Sequence, residues 1–146
     1  MNEMMGTPVL SEHMIDSLLV QAEEAMLSSY SPYSQFAVGA ALLCEGDAVI
    51  RGANVENASY GLTVCAERVA VWQAVMEKHV KKKQPWRAIA LLAKNNPNGS
   101  VAPCGACLQV LSEFASDESV VITRHAETGE PQVGRFIDMF PAAFSL

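Results

Sequence analysis

Cys65-Ala66-Glu67-Arg68 puts a soft-metal ligand two residues before a carboxylate, and Pro103-Cys104-Gly105-Ala106-Cys107 adds two more ligands spaced by three. Zinc takes thiolates readily, and a catalytic zinc keeps three protein ligands and one open position. Cys65, Cys104 and Cys107 are therefore a candidate ligand set for one Zn2+ per subunit. Glu67 is poorly placed to bind the same ion beside Cys65. Its expected task is to move protons, work that contributes about 10²- to 10⁴-fold in rate. Three thiolates on Zn2+ leave a charge of about −1, which weakens the ion as an acidifier of water. Arg68 is the expected compensator, drawing charge off the ligand sulfurs by hydrogen bonding. A lone Cys-x-x-Cys fits redox chemistry or a structural zinc equally well. The full combination is more specific. A structural zinc is closed by four protein ligands, and only three present themselves, so a non-enzymatic zinc-stapled binding module is the remote alternative.

Helices must bring these residues together. Cys104 and Cys107 fall on one side of a first helical turn, and Cys65 lies at the start of another helix. Helix N-termini carry partial positive charge, which favours thiolate over thiol. The Cys65 helix reads to about Val80 and is apolar on nearly every side, so it is expected to be buried all round, between sheet and a second subunit. The Cys104 helix reads from Pro103 to about Phe114. Upstream, Ser11 is a plausible N-cap for a helix over Glu12 to Ser28, where Ile15, Leu18, Leu19, Ala22, Ala25 and Met26 recur at helical spacing. Phe36 to Leu43 and Ala48 to Val55, joined at Glu45-Gly46-Asp47, read as a β-hairpin. Gly39 and the alanines around it suggest that something packs very close to that sheet. Trp86 to Lys94, Ser119 to Ala126 and Gln132 to Phe136 complete the strands, and Ile137 to Phe140 reads as one helical turn. This order predicts an α/β fold, a three-layer α/β/α arrangement around a mixed sheet of about five strands.

The 146 residues suggest one catalytic domain, with 1–10 as a flexible extension. Net charge is −6. Proteins that grip nucleic-acid backbones usually show a basic face, and the one basic run, Lys81-Lys82-Lys83, reads as a solvated helix end. A small-molecule substrate is expected, with no nucleic-acid polymer. No stretch approaches the roughly 20 apolar residues of a membrane span, and Met1 to Pro8 holds Glu3 and no apolar run. A cytoplasmic location is expected, where cysteine clusters are metal-binding or catalytic more often than disulfide-bonded. Cys44, without a partner, reads as a small buried apolar residue.

At these motifs the chain resembles cytidine deaminases of the small homotetrameric type. Tyr30 to Ala41, Asn54-Val55-Glu56-Asn57-Ala58-Ser59-Tyr60 and Pro103 to Cys107 also look like family segments, in the family's order. The resemblance implies zinc-dependent hydrolytic deamination of cytidine and deoxycytidine in pyrimidine salvage. It implies that Asn54 and Glu56 bind sugar hydroxyls, that Phe36 packs along the nucleoside, and that Ala66 and Glu67 read the pyrimidine edge. It further implies a homotetramer in which Tyr60 and Phe144 reach into a neighbour's site. Many relatives carry Arg directly after the last cysteine, where this chain has Leu108. That places the burden of neutralising the thiolates on Arg68. A deaminase of another aminopyrimidine nucleoside, such as blasticidin S, is the alternative.

Overall fold

The computed structural model describes residues 10–146. The expected N-terminal extension therefore lies, but for residue 10, outside the described residues.

Helix α1 (Glu12–Met26) begins where Ser11 Oγ accepts the Met14 amide at 3.1 Å, the N-cap its sequence predicts. Its buried stripe, Leu18, Leu19, Ala22 and Ala25, covers one face of a five-stranded sheet. The strands are β1 (Val38–Leu43), β2 (Val49–Ala53), β3 (Ala88–Ala93), β4 (Val120–Arg124) and β5 (Pro131–Arg135), in the order β2-β1-β3-β4-β5. The β3–β4 pair is parallel and the other pairs are antiparallel, so the sheet is mixed. Strands β1 and β3 are buried at every position, as continuous apolar runs must be when helices cover both faces.

The opposite face carries α2 (Ala66–Met76), α3 (Gly105–Ser112) and the short α4 (Phe136–Met139), packed on Ala40, Leu42, Ile89, Leu91 and Val121. The result is the expected three layers. Glycines let the helices approach closely. A Cβ on Gly39 would lie 1.9 Å from the Ala22 carbonyl oxygen of α1, and one on Gly52 would lie 2.4 Å from that of Ala66 in α2. The close packing read from Gly39 is thus real, with α1 as the neighbour. Trp86 is wholly buried and donates its indole N–H to the Leu111 carbonyl at 3.0 Å, which anchors the end of α3.

Two expectations need correction. Helix α2 stops at Met76, well short of Val80, because Lys78 takes a left-handed φ of 63°. The His79 amide then reaches back to Ala74 O and the Lys78 amide to Val75 O, a Schellman closure. Helix α3 starts at Gly105, leaving Pro103 ahead of it, and ends at Ser112. Within the chain α2 lays Ala66, Glu67, Ala70, Val71 and Ala74 on the sheet side, as expected, and Trp72, Val75 and Met76 are exposed on the face expected to meet a second subunit.

Candidate active site

Cys65 and Cys104 occupy equivalent places, as the N-cap residues of α2 and α3, and neither side chain caps its own helix. Both sulfurs are left to face the gap where the two helix starts meet. Cys107, one turn into α3, is fully buried and faces the same gap. The three Sγ atoms lie within 4.8 Å of one another, with Cys65 and Cys104 3.8 Å apart. An ion with tetrahedral sulfur ligands at about 2.3 Å spaces those sulfurs by about 3.8 Å. The donor set and its spacing therefore fit zinc.

The charges around the trio are arranged for an anion. The Cys107 thiol donates toward the Cys65 sulfur. Against the cost of burial, that bond, with those from Arg68 and Cys104, lowers the Cys65 thiol to about 5. The same bond pushes Cys107 upward, with burial and the Glu67 charge adding to it. Arg68 Nη2 sits 3.5 Å from Cys65 Sγ, and its pKa is held above the ordinary value first by that hydrogen bond. Leu108 turns away and packs, half-buried, on the core. Glu67 is buried among these groups. Burial is the main cause that raises its carboxyl, and the Cys65 thiolate raises it further.

A cavity of about 350 Å³ opens on the cluster. Cys65, Ala66, Glu67 and Cys104 line it, and so do Phe36, Asn54 and Glu56. The fold thus brings together residues the sequence separates by up to 70 positions, from Ser34 to Cys104. Asn54, at the end of the hairpin, is buried and locked. Its Oδ1 accepts the Val38 amide at 2.9 Å and the Ser29 hydroxyl at 2.5 Å, and its Nδ2 donates to Phe36 O at 2.7 Å. Glu56 accepts the amides of Tyr33 and Ser34 and the Ser34 hydroxyl. These bonds, the hydroxyl's first, hold its carboxyl below the usual range against some burial.

Tyr60 and Phe144 do not line this cavity. Tyr60 is three-quarters exposed, set edge-on to Tyr33 with ring centroids 5.9 Å apart. The two tyrosines wall a second depression of about 380 Å³ that shares Ser34, Glu56 and Thr63 with the first. Phe144 projects outward from the tail, its carbonyl accepting the Gln109 amide at 3.1 Å. Cys44 is fully buried, its thiol raised to about 11 by that burial, and it takes no part in the sulfur cluster.

Sequence reasoning missed five cavity residues: Ser34, Val38, Thr63, Val101 and Ala102. Thr63 had a usable signal. It stands two residues before Cys65 in backbone held extended by the Val55–Val64 bridge, and alternation puts both on one side. Val101 and Ala102 carry no polar chemistry to announce them.

Comparison with known proteins agrees with this geometry. Residues 13–123 match the family model described as the cytidine and deoxycytidylate deaminase zinc-binding region. A cytidine deaminase of Halalkalibacterium halodurans is 42% identical over 128 residues, covering 88% of this chain and 92% of that protein. One from Sporosarcina psychrophila is 36% identical over 131 residues, covering 90% and 91%. The crystal structure of a Burkholderia pseudomallei cytidine deaminase superposes with a TM-score of 0.78 at 38% identity, over 92% of this chain and 100% of that one. With three sulfurs, a buried carboxylate and these relatives in agreement, the chain belongs to the cytidine and deoxycytidylate deaminase family and is an enzyme of it.

Proposed function

We propose that this enzyme hydrolyses the 4-amino group of cytidine and deoxycytidine, giving uridine or deoxyuridine and ammonia. One observation carries the reading: a single cavity is lined both by the sulfur–carboxylate cluster and by the Asn54–Glu56 pair. That is one site for a reacting ring and one for a sugar hydroxyl.

Cys65, Cys104 and Cys107 would hold one zinc per subunit, and the ion, when bound, supplies a Lewis acid that makes water a nucleophile near neutral pH. Glu67 takes the proton from that water through a carboxylate oxygen as the oxygen joins C4. It hands the proton to ring N3, and a proton then reaches the amine nitrogen as the C4–N bond breaks and ammonia leaves. A carboxyl raised by burial holds a proton it has taken more readily than a free carboxyl does, which suits a group that must take and return one. The Ala66 backbone contacts the pyrimidine edge, and Phe36 packs along the nucleoside. Arg68 draws charge from the Cys65 sulfur. Asn54 and Glu56 hold a sugar hydroxyl between a donor and an acceptor.

The same reading makes 1–146 one catalytic domain, acting in the cytoplasm in pyrimidine salvage, as a homotetramer whose Tyr60 and Phe144 enter a neighbouring subunit's site. The uncovered apolar face of α2, with Trp72 48% and Met76 81% exposed, supports the assembly. No described helix is long and apolar enough to cross a membrane.

The ultraviolet absorbance of cytidine falls on deamination, and zinc-loaded protein is expected to produce that fall for cytidine and deoxycytidine. No change with either nucleoside would sink the reading, and faster turnover of blasticidin S would move the substrate to that nucleoside.

A further inference from the structure

Glu56 has fewer free acceptor positions than a carboxylate usually offers. An ionised carboxylate has about four lone-pair positions, two on each oxygen. The amides of Tyr33 and Ser34 donate to Oε1 at 3.0 and 3.1 Å and fill it. The Ser34 hydroxyl lies 2.5 Å from Oε2. The direction of that bond is fixed, because Ser34 Oγ already accepts the Phe36 amide at 3.0 Å and an ionised carboxylate can only accept. The hydroxyl's one hydrogen therefore points at Oε2 and leaves one position there.

Asn54 is depleted in the same way. Val38 N and Ser29 Oγ saturate its Oδ1, and Phe36 O takes one of the two Nδ2 hydrogens. One N–H remains. The pair thus presents one free donor and one free acceptor, the complement of a single hydroxyl group. A ribose carries two adjacent hydroxyls, and a deoxyribose one at the same place.

We propose that Ser34 is a specificity-determining residue. Its hydroxyl occupies the position on Glu56 Oε2 that a second sugar hydroxyl would take, so the Asn54–Glu56 pair holds one hydroxyl and has no second position for the 2′-OH. The proposal rests on the nucleoside reading above. Ser34 also ties two cavity walls together, since one oxygen bonds both the Phe36 backbone and Glu56. That makes it a positioning residue for Glu56 as well.

The test is steady-state kinetics of zinc-loaded wild type, Ser34→Ala and Ser34→Thr on cytidine and deoxycytidine. Wild type is expected to show kcat/KM values for the two within about threefold, since neither Glu56 nor Asn54 keeps a second free position to reward the 2′-OH. Ser34→Ala frees an acceptor and should shift the ratio toward cytidine by about tenfold, the scale of one hydrogen bond to a charged group. The change should lie in KM, with kcat held within about twofold, as for binding shared by ground and transition states. Ser34→Thr keeps the hydroxyl and should restore the wild-type ratio. Ser34 is exposed, and Ser34→Gly, which also lacks the hydroxyl, serves if the alanine variant folds poorly. Equal losses on both substrates, a ratio unmoved by Ala or Gly, or a wild type that favours cytidine by more than about tenfold overturns the specificity role of Ser34 and leaves the nucleoside reading standing. A wild type that turns over neither nucleoside overturns both.

Discussion

Arg68 Nη2 lies 3.5 Å from Cys65 Sγ, one helical turn from it on the same side of α2. With Leu108 packed on the core, no second guanidinium adjoins the cysteine motif. Arg68→Ala should therefore weaken zinc retention and kcat by about 10- to 100-fold, the usual cost of losing a group that hydrogen-bonds a metal ligand. Arg68→Lys should recover little, because an ammonium lacks the planar fork. Chelator competition measures the first effect and single-turnover kinetics the second. Unchanged values in both would remove Arg68 from the site's chemistry.

Glu67 is buried beside the sulfurs, yet only the three cysteines gather as a metal-sized group among the described residues. Glu67→Gln is expected to keep its zinc, measured by atomic absorption, while kcat falls by about 10² to 10⁴. Loss of metal along with activity would make Glu67 a ligand and end its role as proton carrier.

Glu56 gives a pH prediction. Its carboxyl is held below the usual range, chiefly by the Ser34 hydroxyl. A carboxylate with a depressed pKa keeps its charge as pH falls through the ordinary value and loses it only below. KM should therefore stay flat from neutral pH down to about 5 and climb only beneath the ordinary carboxylate range of about 4.3. In Ser34→Ala the climb should start at a higher pH. Acid loss of zinc lowers the active fraction and shows in kcat, so KM is the quantity to follow.

Two glycines separate close packing from turn geometry. Gly39→Ala would drive a methyl to 1.9 Å from the Ala22 carbonyl oxygen, a backbone atom of α1, and should cost about 3 kcal/mol or more. Gly46→Ala meets nothing within 4 Å but sits at φ +73°, and should cost about 1 kcal/mol. Urea unfolding of the two variants measures the difference. Similar costs would mean that α1 can shift to make room.

The exposed face of α2 is testable by mass. Trp72→Glu combined with Met76→Glu is expected to turn an oligomer into a 15.7 kDa monomer in sedimentation equilibrium. Such a change puts charge where a subunit contact needs apolar surface. A wild type already monomeric at micromolar concentration would count against the tetramer.

Features fixed within a few residues were legible in the sequence. The cysteine trio announced itself because ligand spacing and helix starts are local signals, and Ser11 did so because a cap needs only its own turn. The hairpin and the mixed sheet followed from apolar runs and a Gly-containing turn. The end of α2 was illegible because Lys78, not glycine, adopts the left-handed closing conformation. Which face of α2 lies on the sheet was hidden because apolar composition does not say. Val101 and Ala102 enter the cavity through tertiary packing alone, and the bonding of Ser34 to Glu56 spans 22 residues.

Asn54 is at once a cavity wall and a structural rivet. Its amide joins the turn after α1, at Ser29, to the entry of β1, at Phe36 and Val38. Truncating it would strand the buried Val38 amide, at about 1–3 kcal/mol for an unmet buried group. Efforts to evolve the enzyme toward new sugars are therefore poorly served by position 54, where any gain in fit is charged against folding. Thr63 and Ala102 line the same cavity, and none of the side-chain hydrogen bonds that lock Asn54 passes through them. They are the freer ground for adaptation.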